Sequence, residues 1–325
     1  MRRTLIAIAC FSLLTITTLG QGNSPLNKDP KTVKFVTSDL DNFWRAYDLA
    51  AKETDRARRV AIFQSEYLDK GSAGLKDFLR LRIKSADTLV TAMEKLPRFY
   101  ASIRPSTMQV ARMEKKMRKS FAKFKSLYPD AVFPDVYFVI GITSTGGTTG
   151  PSGLLIGTEL YGRTEDTPNE ELPEWLRRVL SGIEKLPGIV AHESCHYNQN
   201  LGREQRTLLA KSLQEGSCDL IGELISGQNI NDHLKPYGRQ NEAAIWRDFS
   251  AEIDKPDFSN WFYNAATAKD RPPDLGYHVG YIISRAYFDR AKDKRQAVRD
   301  ILNIQDFRQF HQKSGYNGPA QTRGQ

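Results

Sequence analysis

Histidine and cysteine are scarce in this sequence, whose 325 residues include five histidines and three cysteines. Long hydrophobic stretches are also few, and the clearest one, Leu5 to Leu19, follows a positively charged start. That stretch is too short to span a membrane comfortably and leads into a small-residue cleavage site at Gly20. We therefore predict that residues 1–20 are a signal peptide, that the mature chain has no stable membrane span, and that the protein is periplasmic or extracellular in a bacterium.

Acidic residues are outnumbered, 38 against 47 Lys and Arg, which gives a net charge of +9. The basic residues are dispersed, and no nucleic-acid recognition motif accompanies them. The densest basic patch, Arg112 to Lys125, alternates with methionine and phenylalanine at helical spacing, which favours the solvated face of an amphipathic helix over a binding patch. We predict no nucleic-acid partner. A protein that binds an anionic surface stays open as an alternative, and its binding would weaken steeply with salt and ignore chelators.

A phosphate-binding loop is absent as well. The glycine-rich stretch 143–150 contains no Gly-Lys-Ser/Thr pattern, so it is better interpreted as a mobile rim beside a cleft. It separates two β-branched and aromatic runs, Asp135–Ile140 and Leu154–Ile156, which we predict to be strands. If the second strand lies at an edge, a peptide could pair with it by β-addition, although an ordinary hairpin is favoured.

The rest of the pattern is mostly helical, and the composition, 40% hydrophobic and 26% charged, is that of a soluble globular protein. We predict an α+β, mainly helical fold with a small antiparallel sheet packed beside a two-helix zinc site. A linker at 21–34 would precede a single domain at 35–314. That domain would comprise a helical part at 35–130 and a catalytic part at 131–314, with a loose tail at 315–325.

Two of the five histidines fall at i,i+4 spacing in the segment His192-Glu193-Ser194-Cys195-His196. On a helix these two imidazoles share one face and can bind one tetrahedral metal. Glu193 lies one step around the helix, where its carboxylate can reach a metal-bound water as a general base. Uncharged neighbours favour a buried helix over the alternative, a surface helix with two solvated histidines.

A catalytic zinc site needs a third protein ligand. The extended HExxHxxGxxH pattern fails, because Gln199 and Gly202 occupy its last two motif positions. The following helical pattern, Leu209 to Leu224, contains Glu215, and Asp219 four residues later on the same face. We predict that Glu215 binds the metal while Asp219 accepts the second N–H of a ligand histidine. Glu223 is a rival ligand, and an acidic solvated helix face is the alternative to both.

The two segments HESCH and EGSCD resemble the gluzincin peptidases, the thermolysin-like group, whose pattern is HExxH followed by ExxxD on the next helix. Further stretches, FPDVYFVIG, GLLIGTELY, QEGSCDLIGELISG, WFYN and DLGYHVGY, resemble a bacterial family of zinc-dependent proteases related to a gliding-motility lipoprotein. The second resemblance covers most of the mature chain, the first only two helices. Asn198 departs from the peptidase pattern, which has an apolar residue there.

The resemblance implies an exported zinc peptidase with one Zn²⁺ per chain. His192, His196 and Glu215 would be the ligands, Glu193 the base, and a peptide or protein the substrate. The alternative is a catalytically silent zinc-binding protein of the envelope, associated with motility.

Two further expectations concern residues around this site. If the two helices share a metal, Cys195 and Cys218 come close enough for a disulfide; two inert buried cysteines are about equally favoured, and ligation by a thiol less so. A hydrolase also needs an oxyanion donor, for which Tyr277 and His278 are candidates, with Tyr281 one turn beyond Tyr277. Helix packing is the alternative role of these residues.

Overall fold

Helices form most of the protein in the computed structural model, which describes residues 26–202 and 206–319. The predicted signal peptide and the start of the predicted linker lie outside these residues. Seven α-helices occupy the first part of these residues: α1 Ser38–Ala50, α2 Arg56–Phe63, α3 Ala73–Phe78, α4 Ala86–Lys95, α5 Pro97–Ser102, α6 Arg104–Thr107 and α7 Glu114–Leu127. Side-chain oxygens cap the first turns of three of them, with Asp55 capping α2, Ser72 capping α3 and Ser85 capping α4.

An aromatic cluster joins these helices to the rest of the chain. Phe43, Phe63 and Tyr67 are fully buried and pack edge to face or tilted against one another. The Tyr67 hydroxyl donates to the Ile140 carbonyl at 2.7 Å and accepts from the Ile140 N–H at 3.0 Å. The helical part is therefore fixed to the end of a sheet strand by burial and by a paired hydrogen bond.

Four short strands form one mixed sheet: β1 Phe35–Val36, β2 Asp135–Val139, β3 Thr148–Gly150 and β4 Gly153–Gly157, in the order β1-β2-β4-β3. The two predicted strands are β2 and β4, and they pair in parallel, as do β1 and β2. Only β3 and β4 are antiparallel, so the prediction of an antiparallel sheet is wrong for the main pairing.

The short strand β3 lies between β2 and β4 in the sequence and accounts for their parallel pairing, because it reverses the chain direction before β4. Sequence periodicity does not reveal this strand. It forms a tight hairpin with β4, in which Gly153 has a φ of +143° and a Cβ there would lie 2.2 Å from the Asp135 carbonyl oxygen. Strand β4 is thereby enclosed between β2 and β3, and all five of its residues are buried. It is not an edge strand, and among the described strands β1 and β3 form the edges.

Eight α-helices follow the sheet in the described part of the chain: α8 Glu174–Val179, α9 Leu186–Asn198, α10 Leu208–Ser226, α11 Lys235–Gln240, α12 Glu242–Glu252, α13 Leu275–Arg290, α14 Lys294–Leu302 and α15 Phe307–Ser314. Helix α10 lies between α9 and α13. It approaches α13 through glycines, because a Cβ on Gly280 would lie 1.7 Å from the Ser212 carbonyl oxygen. The predicted α+β, mainly helical fold class is confirmed.

Two further findings bear on the sequence predictions. No helix in the described parts of the chain is both long and apolar enough to cross a bilayer. Tyr316, within the predicted loose tail, packs against Trp246 at 5.1 Å between ring centroids and donates to Glu242 at 2.9 Å. The tail is therefore attached as far as this aromatic residue, because burying its ring and pairing its hydroxyl are both favourable.

Candidate metal centre

Helices α9 and α10 bring the predicted ligands His192, His196 and Glu215 together. Both helices have well-defined starts, with Pro187 in the first turn of α9 and the Thr207 hydroxyl accepting from a first-turn N–H of α10. Gly222 of α10 faces α9, since its Cβ position lies at an ordinary contact distance, 3.4 Å, from the His192 backbone nitrogen.

The three side chains converge on one point. The two Nε2 atoms of His192 and His196 are 3.0 Å apart, and the Oε2 atom of Glu215 lies 3.2 Å from His196 and 3.7 Å from His192. Zinc bonds of about 2.0–2.1 Å in a tetrahedron separate ligand atoms by about 3.3 Å. All three side chains are nearly fully buried, with exposures of 5%, 8% and 4%. The spacing of the three atoms therefore suits one small cation.

An acceptor oxygen lies near the Nδ1 atom of each ring, on the side away from the converging atoms. His192 Nδ1 lies 3.0 Å from Asp219 Oδ1, and the other Asp219 oxygen accepts from the Asn231 amide at 2.9 Å. His196 Nδ1 lies 2.9 Å from Gln199 Oε1. The Gln199 amide nitrogen donates to the Gln214 carbonyl and the Ser217 hydroxyl, which orients the Gln199 oxygen toward the ring.

In the neutral tautomer that carries its proton on Nδ1, each ring presents only a lone pair at Nε2. Two nitrogen lone pairs and a carboxylate oxygen thus face one another with no hydrogen between them. Such a set attracts a cation, and a proton competes for the same place. Burial lowers the pKa of His192, but Asp219 and Glu215 outweigh burial and raise that pKa to about 10.

Lys211 is a charged neighbour of the three side chains that the sequence reasoning missed. Its ammonium lies 2.6 Å from the second carboxylate oxygen of Glu215, four residues along α10. Burial raises the pKa of Glu215, but Lys211 and the two histidines outweigh burial and hold the pKa well below its usual range. The i,i+4 spacing of Lys211 and Glu215 is the sequence signal that would have found this pair.

A disulfide joins Cys195 of α9 to Cys218 of α10, with the Cα atoms 5.3 Å apart. Cys218 Sγ lies 3.5 Å from His196 Nδ1, on the side of the ring opposite the converging lone pairs. The sulfurs are therefore a brace between the two helices, and neither is positioned as a ligand.

Glu193 projects toward the glycine-rich stretch. A Cβ on Gly147 would lie 2.5 Å from the nearer Glu193 carboxylate oxygen, so the backbone of this stretch forms a wall against the carboxylate. A Cβ on Gly146 would likewise meet the Tyr161 hydroxyl at 2.2 Å. The stretch predicted to form a rim thus borders the predicted base.

The structure separates the two predicted oxyanion donors. Burial and the charge of Glu215 raise the pKa of Tyr277 well above its usual value, and its ring lies 5.1 Å from that of Phe262. His278 instead packs over Gly238 of α11, whose Cβ position lies 2.1 Å from the His278 ring. Among the described residues, no hydrogen bond or ion pair joins His278 to the three ligands. His278 and Tyr277 are adjacent on α13, and adjacent residues on a helix point about 100° apart, so the two side chains face different neighbours. His278 is therefore not placed as an oxyanion donor.

Tyr263, which the sequence reasoning did not select, lies near Tyr277. Its backbone is left-handed at a φ of +56°, and its N–H donates to Asp274 at 2.5 Å. Asp274 also has a left-handed φ, +63°. Non-glycine residues in this region are strained, and such strain gathers at functional sites.

The rival ligand Glu223 is engaged elsewhere. Its carboxylate pairs with Lys235 at 2.7 Å and accepts from the Tyr281 hydroxyl at 3.2 Å. Asn198, the departure from the peptidase pattern, donates to the Val132 carbonyl at 2.9 Å and accepts from the Val132 N–H at 2.8 Å. It fastens the end of α9 to the segment before β2, which accounts for a polar residue there.

Comparison with known proteins bears on the wider resemblance. No curated protein and no solved structure matches the chain significantly. One family model, described as gliding motility protein GldB, matches residues 26–318 and so includes every residue of the centre. On the extent of that match, the chain belongs to the GldB family of gliding motility proteins.

Proposed function

We propose that this protein is a zinc-binding protein of the cell envelope, associated with gliding motility, that holds one ion through His192, His196 and Glu215. One observation carries the metal assignment: two Nε2 lone pairs and one carboxylate oxygen converge while both Nδ1 atoms face acceptors. The family description supplies the setting. A disulfide between the two ligand helices suits an oxidising compartment outside the cytoplasm.

The donor set favours zinc over the hard cations. Calcium and magnesium prefer six or more oxygen ligands or retained waters, whereas two imidazoles with one carboxylate are a common zinc set. Asp219 and Gln199 orient the two rings from behind, as the outer partners of metal-binding histidines usually do.

Peptide-bond hydrolysis is a second candidate function, and the position of Glu193 favours it. A bound zinc would supply Lewis acidity and lower the pKa of a coordinated water. Glu193, next to a ligand and close to Gly147, would accept a proton and return it to a leaving amine. Tyr277 would offer a phenolic O–H to a developing oxyanion. A peptide could add to the unpaired side of β3, the edge strand that precedes β4.

Metal analysis of the mature protein, combined with a peptide-library digest, tests both candidates. We expect one zinc per chain in the wild type and in Glu193→Gln. Cleavage that Glu193→Gln abolishes would establish the peptidase, whereas zinc without cleavage by either form would leave the non-catalytic zinc protein. Absence of zinc from the wild type after metal loading would reject the proposal, and salt-sensitive binding to an anionic surface would then become the leading alternative.

A further inference from the structure

Glu215 divides its two carboxylate oxygens between different partners. Oε2 faces the imidazoles of His192 and His196, while Oε1 lies 2.6 Å from the ammonium of Lys211. Both members of the ion pair are buried, with side-chain exposures of 11% for Lys211 and 4% for Glu215. Only one oxygen of Glu215 is therefore available to a metal.

Lys211 has one carboxylate partner, and its other neighbours are aromatic. Among the described residues, Glu215 is the only carboxylate within ion-pair distance of its ammonium. The rings of Phe262 and Tyr263 cover it at 5.9 and 5.5 Å, which is cation–π distance. The strained backbone of Tyr263, held by Asp274, keeps one of these rings in place. An unpaired buried charge is costly, so the buried ammonium of Lys211 depends on its one carboxylate partner and on the aromatic rings around it.

We propose that Lys211 is a resident counter-cation of the centre, which takes the place of the metal's charge when the metal is absent. It compensates Glu215 in the metal-free protein, keeps the three ligands assembled, and holds Glu215 as a one-oxygen ligand. It also repels an incoming dication and so makes the zinc exchangeable. This inference rests on the zinc site proposed above.

Lys211 is expected to raise the stability of the metal-free protein and to lower its affinity for zinc. These opposite effects distinguish the proposed role from ordinary packing. In the metal-free protein, removing the ammonium takes the nearest positive charge away from a buried carboxylate and destabilises the fold. In the zinc-bound protein, the same change removes a like charge from a site of low dielectric and frees an oxygen of Glu215. A residue that merely packs would lose stability and affinity together when replaced.

The test replaces Lys211 with methionine, which keeps the length and apolar stem of the side chain, and with arginine, which keeps the charge. Zinc affinity is measured by competition with a chromogenic chelator, and the Tm is measured in metal-free protein. We expect Lys211→Met to bind zinc about tenfold or more tightly and to lower the metal-free Tm by about 5–10 °C. Lys211→Arg should stay close to the wild type in both.

Lys70 provides a matched control, because it also pairs with a glutamate at i,i+4 spacing. Its ammonium lies 2.5 Å from Glu66, but its side chain is 47% exposed. Exposed pairs contribute little, so Lys70→Met should change neither quantity measurably.

Several outcomes would overturn the proposal. Zinc binding by Lys211→Met that is weaker than or equal to that of the wild type would show that Lys211 only supports the helix. Failure of this variant to fold even with zinc present would have the same meaning, because the metal should supply the missing charge. Folding that requires zinc would support the proposal. If the wild type binds no zinc, the zinc site and this inference fail together, whereas a wild type that binds zinc with an unresponsive Lys211→Met rejects only the inference.

Discussion

Helix α10 carries two glutamates that each pair with a lysine, and only one of these glutamates belongs to a candidate metal centre. Glu215 pairs with Lys211 at 2.6 Å, and Glu223 pairs with Lys235 at 2.7 Å, so the first contact of each carboxylate is nearly the same. The second contacts differ. Glu215 also faces two imidazole lone pairs, whereas Glu223 also accepts from the Tyr281 hydroxyl.

Burial differs in the same direction. The Glu215 and Glu223 side chains are 4% and 25% exposed, so water can solvate the second carboxylate but hardly reaches the first. A carboxylate among further acceptors needs a cation, while a carboxylate among donors is already satisfied. The set of neighbours, rather than the carboxylate or its lysine, therefore distinguishes the candidate ligand.

The largest expected effect is on zinc affinity, when each of the two glutamates is replaced in turn. Glu215→Gln should weaken zinc binding by more than about a hundredfold, because it removes the charged member of a three-ligand set. Glu223→Gln should leave the zinc affinity within about twofold of the wild type. Isothermal titration with zinc measures both, and equal losses in the two variants would contradict the assignment of the third ligand.

The next largest effect concerns the disulfide that joins α9 to α10, which lies near Glu215 and its two histidine neighbours. Replacing Cys195 and Cys218 together by alanine releases a loop closed over a sequence separation of 23. We expect the free energy of unfolding to fall by about 3 kcal/mol, as measured by urea denaturation of the metal-free protein. A loss of zinc affinity should accompany the fall, because α9 supplies two ligands and α10 the third. An unchanged denaturation midpoint would show that the helices are held by packing alone.

A smaller effect is expected for the residues that orient the two rings. Asp219→Asn and Gln199→Leu should each weaken zinc binding by about 10- to 100-fold without abolishing it. Lys235→Met, near the other glutamate, serves as the control and should leave the affinity unchanged. If Asp219→Asn bound zinc as tightly as the wild type, the fixed tautomer of His192 would not be needed for binding.

The smallest effect concerns Glu159, a buried carboxyl whose pKa no lysine lowers, and the dependence of stability on pH. Glu159 is fully buried, and burial raises its pKa to about 7 despite backbone N–H donors such as that of Thr143. Because its pKa is raised on folding, its contribution to stability is complete below about pH 4.5 and is lost as the pH rises through 7. The wild type should lose about 1 kcal/mol between pH 6 and pH 8 relative to Glu159→Gln. Denaturation at both pH values measures this, and parallel curves for the two proteins would contradict it.

Part of the centre could be predicted from sequence because its chemistry depends on local spacing. His192 and His196 share a face through i,i+4 spacing, and Glu215 and Asp219 do so on the next helix. The same logic applied to Lys211 would have identified its ion pair. Gln199 was also within reach, since it follows His196 by three residues and so lies on the same face.

Other features depend on contacts between distant segments. The short strand β3 has no alternating pattern, so the parallel pairing of β2 with β4 could not be predicted from periodicity. Tyr263 reaches the centre from a loop of irregular backbone that hydrogen bonds to Asp274 eleven residues later. The packing of His278 over Gly238 likewise depends on where α11 lies, which no local pattern indicates.

Zinc-edge X-ray absorption of the zinc-loaded protein tests the central claim most directly. The proposed centre predicts a first shell of nitrogen and oxygen at about 2.0–2.1 Å, with the signature of two imidazoles and no sulfur. Protein that retains no zinc, or a shell with sulfur at about 2.3 Å, would contradict the assignment of His192, His196 and Glu215 as the ligands.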